Sequence, residues 1–212
     1  MNTKIILLTG KAQSGKDSAA QFILSKLLEK NQTAKCYSFA SNLKDICHNI
    51  LGLSYDQCWG SNLHKDTKTK FKWSDLPVSS EKLSKLMIKD QNYKKIDDFM
   101  TAREVMQVWG TDIFRSFDEN CWVRSTVNMI ESENLNFAII TDARFENEVD
   151  YIKKFEPIII RLTRNILNQN HESELALDNY DFFGPNVYVI NNENLNIEDK
   201  NLKIELILNK YL

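Results

Sequence analysis

The 212-residue chain contains five short apolar runs that have the length of β-strands. They lie at residues 5–9, 36–40, 137–141, 158–162 and 187–190. The first, third and fourth runs are continuously apolar and rich in β-branched residues, which is typical of strands buried on both faces of a parallel sheet. The apolar pattern therefore predicts a parallel sheet that is covered by helices.

Between these runs, apolar residues recur at helical spacing. After Lys16 they form one stripe of an amphipathic helix, at Ala19, Ala20, Ile23, Leu24, Leu27 and Leu28. Further helices are predicted at residues 42–51, 102–117, 121–131, 146–155 and 201–212. Because strands alternate with helices, the chain is predicted to form βαβ units and an open α/β fold.

Two polar stretches interrupt the alternation. Residues 52–101 carry a lysine-rich run at 64–70, and we interpret them as an insertion over one end of the sheet without a core of its own. A solvated charged surface is the alternative interpretation of these lysines. Residues 165–184 separate the last two strands, and long loops in compact domains are often lids. We therefore expect residues 1–212 to form one domain with an insertion and a lid.

Composition excludes several classes of protein. The chain is 42% hydrophobic and 26% charged, and its 27 basic and 29 acidic residues give a net charge of −2, typical of an ordinary soluble protein without an electrostatic footprint for nucleic acid. The sequence has no run of about 18 apolar residues, so it predicts no membrane span. The apolar run after Lys4 is too short for a signal peptide. The four cysteines lack C-x-x-C spacing and the three histidines lie far apart, so we expect no zinc site and a cytoplasmic location.

The strongest motif stands between the first predicted strand and the first predicted helix. It reads Gly10-Lys11-Ala12-Gln13-Ser14-Gly15-Lys16-Asp17 and has the form G-x-x-x-x-G-K. Glycines let backbone N–H groups surround a phosphate, the helix N-terminus adds its dipole, and Lys16 offers a positive charge to the β and γ oxygens. The motif indicates binding of a nucleoside triphosphate, and by itself it does not separate a kinase from a GTPase or a helicase.

The residue after the motif lysine departs from the usual pattern. A Ser or Thr that binds Mg²⁺ usually stands there, whereas this chain has Asp17. Either Asp17 reaches the metal, directly or through water, or Ser18 takes a share of that role. A carboxylate is a suitable Mg²⁺ ligand, so metal binding remains the expectation.

Two charged residues follow the third predicted strand. Asp142 stands at the carboxyl end of a buried strand, where ligands bind in open α/β sheets, and is a candidate for holding Mg²⁺. Arg144 is suited to binding a phosphate through two hydrogen bonds. The alternative interpretation is a helix-capping aspartate beside a surface arginine.

A second dense stretch runs from Arg103 to Arg115. On a helix, Arg103 and Gln107 are four residues apart and share a face. Gln107 offers both a donor and an acceptor, which suits the edge of a nucleobase.

Taken together, these segments resemble the bacteriophage-type deoxynucleoside monophosphate kinases, a branch of the P-loop nucleoside monophosphate kinases. The matching segments are residues 10–18, 37–40 with Leu43 and Lys44, 59–65, the R-E-x-x-Q-x-x-G-T-D-x-x-R run at 103–115, Trp122, and 141–148. An aspartate after the loop lysine is usual in this branch. The family often has Asp-Pro after Phe39-Ala40, where this chain has Ser41-Asn42.

The resemblance implies a P-loop NTPase fold, in which a five-stranded parallel sheet is flanked by helices. It implies that residues 52–101 bind the nucleoside monophosphate and that residues 165–184 form the lid. The implied reaction is transfer of the γ-phosphoryl group of ATP to a deoxynucleoside 5′-monophosphate, with Mg²⁺ as cofactor, in deoxynucleotide biosynthesis. The implied location is cytoplasmic, in the host cytoplasm if the protein is viral.

The resemblance also assigns residues to roles. Donor binding falls to Gly10, Lys11, Ala12, Ser14, Gly15, Lys16, Asp17 and Ser18. Acceptor binding falls to Phe39, Ala40, Lys44, Lys65, Arg103, Gln107, Gly110, Thr111, Arg115, Trp122, Arg144, Phe145 and Glu148. The implied catalytic residues are Lys16, Arg115, Arg144 and Asp142, and the implied metal ligands are Asp17 and Asp142, which bind Mg²⁺ directly or through water.

Towards the C-terminus, few residues match the motifs of this family. Lid-like positions are occupied by Arg161, Arg164, His171 and Glu174, to which we assign no role at this point. Asn191 and Asn192 either border the adenine or form a plain turn. The accepted bases, the discrimination of ribose from deoxyribose and a homodimer stay open.

Two other functions remain as alternatives. A P-loop kinase of another small acceptor, such as dephospho-coenzyme A, would share the loop and lack the 103–115 run. A nucleotide-binding switch or nucleic-acid-associated ATPase would bring basic grooves or an N-K-x-D motif, and the sequence has neither.

Overall fold

The computed structural model describes residues 3–76, 79, 96–165 and 176–212. The described strands are β1 (Lys4–Thr9), β2 (Ala34–Tyr37), β3 (Lys68–Lys72), β4 (Phe99–Thr101), β5 (Phe137–Ala143), β6 (Ile158–Leu162) and β7 (Val187–Ile190). The described α-helices are α1 (Lys16–Glu29), α2 (Ala40–Asn49), α3 (Tyr55–Trp59), α4 (Asn62–Lys65), α5 (Ala102–Gln107), α6 (Cys121–Glu133), α7 (Glu146–Lys153) and α8 (Ile197–Leu208).

The chain divides into two compact units. One comprises Met1–Ala40 with Trp122–Leu212, and the other comprises Ser41–Cys121. We call them the sheet unit and the inserted unit.

The sheet unit is built on five parallel strands in the order β2-β5-β1-β6-β7. The central strand β1 is buried on both faces, since consecutive residues from Ile5 to Leu8 are fully inaccessible to solvent. On one face Ile6 and Leu8 pack in a core with apolar residues of α1 and α8. The five-stranded parallel sheet predicted from the sequence is therefore confirmed.

Two elements of the sheet unit lie away from their predicted positions. The second strand ends at Tyr37, whereas the pattern predicts a strand at 36–40, because Asp142 binds the segment from Ser38 to Ala40 and α2 begins there. The last helix begins four residues early, because the side chain of Asn196 accepts a hydrogen bond from the backbone N–H of Asp199 and caps it.

The inserted unit contains the antiparallel pair β3–β4 and several short helices. It has a buried core of its own, to which Leu53, Trp73, Met100 and Val105 contribute. The expectation of an insertion without a core is therefore wrong. The sequence hides this core because its residues come from short elements and show no sustained period. Residues 77–78 and 80–95, within the predicted insertion, lie outside the described residues.

The helix predicted at 102–117 is present with a change of geometry. It begins at a capping box, in which Thr101 and Glu104 bind each other's backbone N–H groups, and continues after Gln107 as a π-helix over Val108–Arg115. Helices of this type are frequent at functional sites.

Across the described parts of the chain, every helix is too short or too polar to cross a lipid bilayer.

Candidate active site at the phosphate loop

The phosphate loop connects β1 to α1 through two glycines with positive φ. Gly10 has φ of +146° and Gly15, the residue before α1, has φ of +95°. A Cβ on Gly10 would lie 2.5 Å from the carbonyl oxygen of Leu162 in the neighbouring strand β6. Because that oxygen belongs to the backbone, the loop can lie against the sheet only with glycine at this position.

Lys16 lies across the loop that it follows. Its ammonium donates hydrogen bonds to the carbonyl oxygens of Gly10 at 2.6 Å and Lys11 at 2.7 Å. The N-terminus of α1 and this ammonium together form an anion-binding site. The hydroxyl of Ser14 is buried in the loop without a hydrogen-bond partner in the described part of the chain, and so offers a donor to a bound phosphate.

A pocket opens beside the loop at the carboxyl ends of β5 and β6. Its lining residues are Thr9, Gly10, Lys11, Lys16, Asp142, Ala143, Arg144, Arg161, Leu177 and Asp178. Four of these side chains are cationic and two are carboxylates. The surplus of positive charge suits a polyanionic ligand.

Asp142 has a structural role in addition to its place in the pocket. Its carboxylate accepts hydrogen bonds from the hydroxyl of Ser38 at 2.5 Å and from the backbone N–H groups of Phe39 at 2.7 Å and Ala40 at 3.1 Å. Asp142 therefore holds the segment that leads into α2. The same carboxylate thus lines the pocket and holds the backbone before α2.

The carboxylates present fit Mg²⁺. Mg²⁺ is usually bound by one or two carboxylates together with substrate phosphates and water. A carboxylate has about four lone-pair sites, and the three hydrogen bonds to Asp142 leave capacity for a metal or its water. Asp17 is exposed in the first turn of α1. In the described residues no three His, Cys, Asp or Glu side chains form a cluster able to hold a metal.

Glu148 fixes the turn that carries Arg144. The carboxylate is only 3% exposed, and its Oε2 atom accepts the backbone N–H groups of Arg144 at 2.7 Å and Phe145 at 3.1 Å. The Arg144 side chain is exposed and lines the pocket. The charge of Glu148 is thus directed into the turn between β5 and α7.

Arg161 lines the same pocket and received no role from the sequence. It pairs with Thr9 in the β1–β6 register, and its guanidinium carbon lies 4.3 Å from the ring centre of Phe182. Its Nη1 atom is buried without a hydrogen-bond partner among the residues described. Burial lowers the pKa of Arg161, and Asp178 opposes that shift. The signal in the sequence was an arginine inside an otherwise apolar strand.

The described end of the predicted lid contacts the phosphate loop. Asp178 accepts an ion-paired hydrogen bond from the ammonium of Lys11 at 2.9 Å. His171 and Glu174, which resemble lid positions, lie outside the described residues.

The turn after β7 is tied to the phosphate loop. Asn192 is 1% exposed, donates to the carbonyl oxygen of Ser14 at 2.8 Å and accepts from the backbone N–H of Arg164 at 2.9 Å. The guanidinium of Arg164 binds the carbonyl oxygens of Asn192 and Leu195. This turn therefore braces one side of the loop.

In the inserted unit, the charges of two predicted acceptor residues act on one buried thiol. Burial raises the pKa of Cys58, the positive charges of Lys44 and Lys65 lower it, and the negative charge of Asp45 raises it.

Arg103 lies at the helix that carries Lys65. Its Nε atom donates to Asp66 at 2.8 Å and its Nη2 atom to Asn62 at 3.0 Å. Gln107 is exposed one turn further along α5. Within this unit, Arg103 thus joins Lys65 at α4.

The remaining predicted residues have varied exposure. On the π-helix Gly110 is buried, Thr111 is exposed and Arg115 is partly exposed. A Cβ on Gly110 would lie 2.5 Å from a methyl group of Leu43. Of the predicted acceptor residues in the sheet unit, Phe39 and Trp122 are buried, and Ala40 and Phe145 are partly exposed.

Comparison with known proteins gives a consistent result. The family model described as deoxynucleotide monophosphate kinase matches residues 56–202. The deoxynucleotide monophosphate kinase of Enterobacteria phage T4 is 26% identical, with 82% of this chain and 88% of the phage protein covered. The deoxynucleoside-5′-monophosphate kinase of Escherichia phage T5 is 24% identical, with 95% and 94% covered. A protein of Acanthamoeba polyphaga mimivirus, provisionally named a deoxynucleotide monophosphate kinase, is 25% identical, with 90% of each chain covered.

Among solved structures, the chain is similar to an APS kinase of Mycobacterium tuberculosis. The TM-score is 0.44 at 10% identity, with 98% of both chains covered.

The contact at Gly10 predicts a stability difference between two glycines of nearly equal φ. Gly10→Ala places a methyl group against a backbone oxygen, whereas at Gly184, with φ of +145°, the nearest atom to a Cβ is a Val187 methyl at 3.4 Å. Both changes strain the backbone by about 1–2 kcal/mol. Only Gly10→Ala adds a steric clash, of about 1–3 kcal/mol. Urea unfolding should show the larger loss for Gly10→Ala, and equal losses would contradict the role of the Leu162 contact.

Proposed function

Because the chain belongs to the deoxynucleotide monophosphate kinase family, we propose that it transfers the γ-phosphoryl group of ATP to a deoxynucleoside 5′-monophosphate. The products are the deoxynucleoside diphosphate and ADP. The observation that carries the proposal is the pocket in which the phosphate loop and four cationic side chains meet. A kinase of another small acceptor is not favoured, since the family match includes the run from Arg103 to Arg115.

The donor is held by the phosphate loop. Backbone N–H groups from Gly10 to Ser18 surround its phosphates, and the hydroxyl of Ser14 adds a donor. Lys16 exchanges the carbonyl oxygens of the loop for phosphate oxygens when the donor binds. This exchange replaces neutral partners of the ammonium with charged ones, which form stronger hydrogen bonds.

Asp17 and Asp142 are the proposed Mg²⁺ ligands, directly or through water. When bound, Mg²⁺ neutralises charge on the β and γ phosphate oxygens. Asp142 also holds Ser38, Phe39 and Ala40, so the metal side of the pocket and the segment proposed to contact the acceptor depend on one carboxylate.

The proposed acceptor contacts are the residues to which the family resemblance assigns this role. In the inserted unit the proposed contacts are Lys44, Lys65, Arg103, Gln107, Gly110, Thr111 and Arg115. In the sheet unit they are Phe39, Ala40, Trp122, Arg144 and Phe145. Glu148 enters the proposal as the residue that positions Arg144, since its carboxylate is engaged by the turn.

Residues 52–101 are proposed as part of the monophosphate-binding region, and residues 165–184 as a lid. The contact that supports the lid is the ion pair between Asp178 and Lys11 of the phosphate loop. A closed lid excludes water and so prevents hydrolysis of ATP without transfer.

The reaction needs charge neutralisation and alignment more than proton transfer. A phosphate monoester is already a nucleophile at neutral pH, so no general base is required. The phosphates of donor and acceptor repel each other, and Lys16, Arg115 and Arg144 offset that repulsion as charge builds on the transferring group. The free Nη1 atom of Arg161 gives the pocket one more donor for the same charge.

A nucleotide panel tests the proposed reaction. Purified protein with ATP and Mg²⁺ should convert one or more deoxynucleoside monophosphates to diphosphates, with one ADP formed for each. Chromatography of the products checks both yields, and Lys16→Ala serves as the inactive comparison. ATP hydrolysis that does not depend on any acceptor would contradict the kinase assignment.

Substitutions at Arg144 and Glu148 should have different effects on kcat. Arg144→Ala should lower kcat by about 10²- to 10³-fold, the usual loss when one donor to a charged transition state is removed. Glu148→Gln keeps an oxygen that can accept both backbone N–H groups, so kcat should stay within about tenfold of the wild-type value.

The matched control is Lys30→Ala, which removes an exposed positive charge just after the far end of α1. Steady-state kinetics of the three variants gives the comparison. An unchanged kcat in Arg144→Ala would contradict its catalytic role and would mean that Arg144 is only a surface arginine.

A further inference from the structure

A buried lysine outside the motif contacts the phosphate loop. Lys200 lies in the first turn of helix α8 and is only 4% exposed. Its ammonium donates to the hydroxyl of Ser18 at 2.7 Å and lies 3.4 Å from the carbonyl oxygen of Gly15. The C-terminal helix therefore brings a cation to the half of the loop where α1 begins.

In the described part of the chain, no carboxylate forms an ion pair with the ammonium of Lys200. Its ammonium forms no ion pair within the ranges 3–76, 79, 96–165 and 176–212, and its two oxygen partners are neutral. Burial lowers the pKa of Lys200, and the positive charge of Arg164 lowers it further. A buried cation without a carboxylate is costly, and such a charge is usually kept for a partner that binds it.

The charge is not needed to hold the loop together. Ser18 also donates to the carbonyl oxygen of Gly15 at 3.0 Å, and that oxygen accepts the backbone N–H of Ala19. On the neighbouring residue Ser14, the neutral amide of Asn192 makes the equivalent brace. Removal of the ammonium would therefore leave neither Ser18 nor Gly15 without a hydrogen bond.

The position of the ammonium indicates its partner. A Cβ built on Gly15 would lie 3.7 Å from the Lys200 Nζ atom, so the ammonium is adjacent to the glycine at the N-terminus of α1. This helix terminus is where the backbone N–H groups of a phosphate loop bind their anion. The hydroxyl of Ser18, which Lys200 holds, belongs to the same first turn.

We propose that Lys200 is a further donor-binding residue, whose counter-charge is a phosphate group of the nucleotide held by the Gly15–Ser18 side of the loop. The inference rests on the proposed function, in that it takes the donor to be a nucleoside polyphosphate. It adds a fixed cation from the C-terminal helix to the cations of the pocket.

Lys200→Met tests the inference, because methionine keeps an unbranched apolar stem and removes the charge. The substitution should keep or raise the stability of the protein and lower its affinity for phosphate-bearing ligands. The free energy of unfolding without nucleotide should stay equal or rise, because an unpaired buried charge is removed. The dissociation constants of ADP and of inorganic tripolyphosphate should rise roughly 10- to 100-fold, while that of adenosine stays unchanged.

Two further variants serve as controls. Lys200→Arg keeps the charge and should recover a large part of the ADP affinity. Lys30→Met removes an exposed charge just beyond the far end of α1 and should change neither measurement. Isothermal titration calorimetry gives the affinities, and urea unfolding without ligand gives the stabilities.

The inference would be overturned if Lys200→Met bound ADP as tightly as the wild type. The same holds if the variant lost stability without nucleotide and kept its ADP affinity. Either result would leave the proposed function intact. Wild-type protein that binds neither ADP nor tripolyphosphate would overturn both.

Discussion

The site depends on one close approach, in which the phosphate loop lies directly against strand β6. Gly10 makes this possible, because any side chain there would meet the carbonyl oxygen of Leu162. The same register pairs Thr9 with Arg161, so the loop and a partly buried arginine line the pocket side by side. The β1–β6 pair therefore sets both the path of the phosphate loop and the position of the Arg161 charge. Both lie at the carboxyl edge of the parallel sheet.

Carboxylates at this edge organise cations and backbone. Asp142 holds the segment from Ser38 to Ala40, Glu148 holds the turn that presents Arg144, and Asp178 pairs with Lys11. The surplus of positive charge that remains is what a triphosphate donor would neutralise. Such a surplus costs stability without a ligand, which is the usual exchange of stability for function at an active site.

How well each element could be predicted depends on whether the interactions that determine it are local in the sequence or join residues far apart. Strand β1, the loop and α1 were predicted because their signal is local: a β-branched run, two glycines and an apolar helical stripe. Strand β2 was misplaced because Asp142, 102 residues after Ala40, ends it. The separate core of the inserted unit was missed because residues such as Trp73 and Met100 have no common period.

The site shows the same division. Lys16, Asp142 and Arg144 could be named from motifs, and the family resemblance drawn from those motifs is confirmed. Arg161 could not be assigned, because a lone arginine in an apolar strand gives no indication of what it faces. Lys200 gave no signal either, since only the packing of α8 beside α1 brings it to the loop.

The most direct test of the central claim follows the γ-phosphorus atom itself. The protein is incubated with Mg²⁺, a deoxynucleoside monophosphate and ATP labelled at the γ position, and the labelled products are separated. The account predicts that the label appears in the β-phosphate of the deoxynucleoside diphosphate. Label that appears only as inorganic phosphate, at the same rate with and without the acceptor, would contradict it.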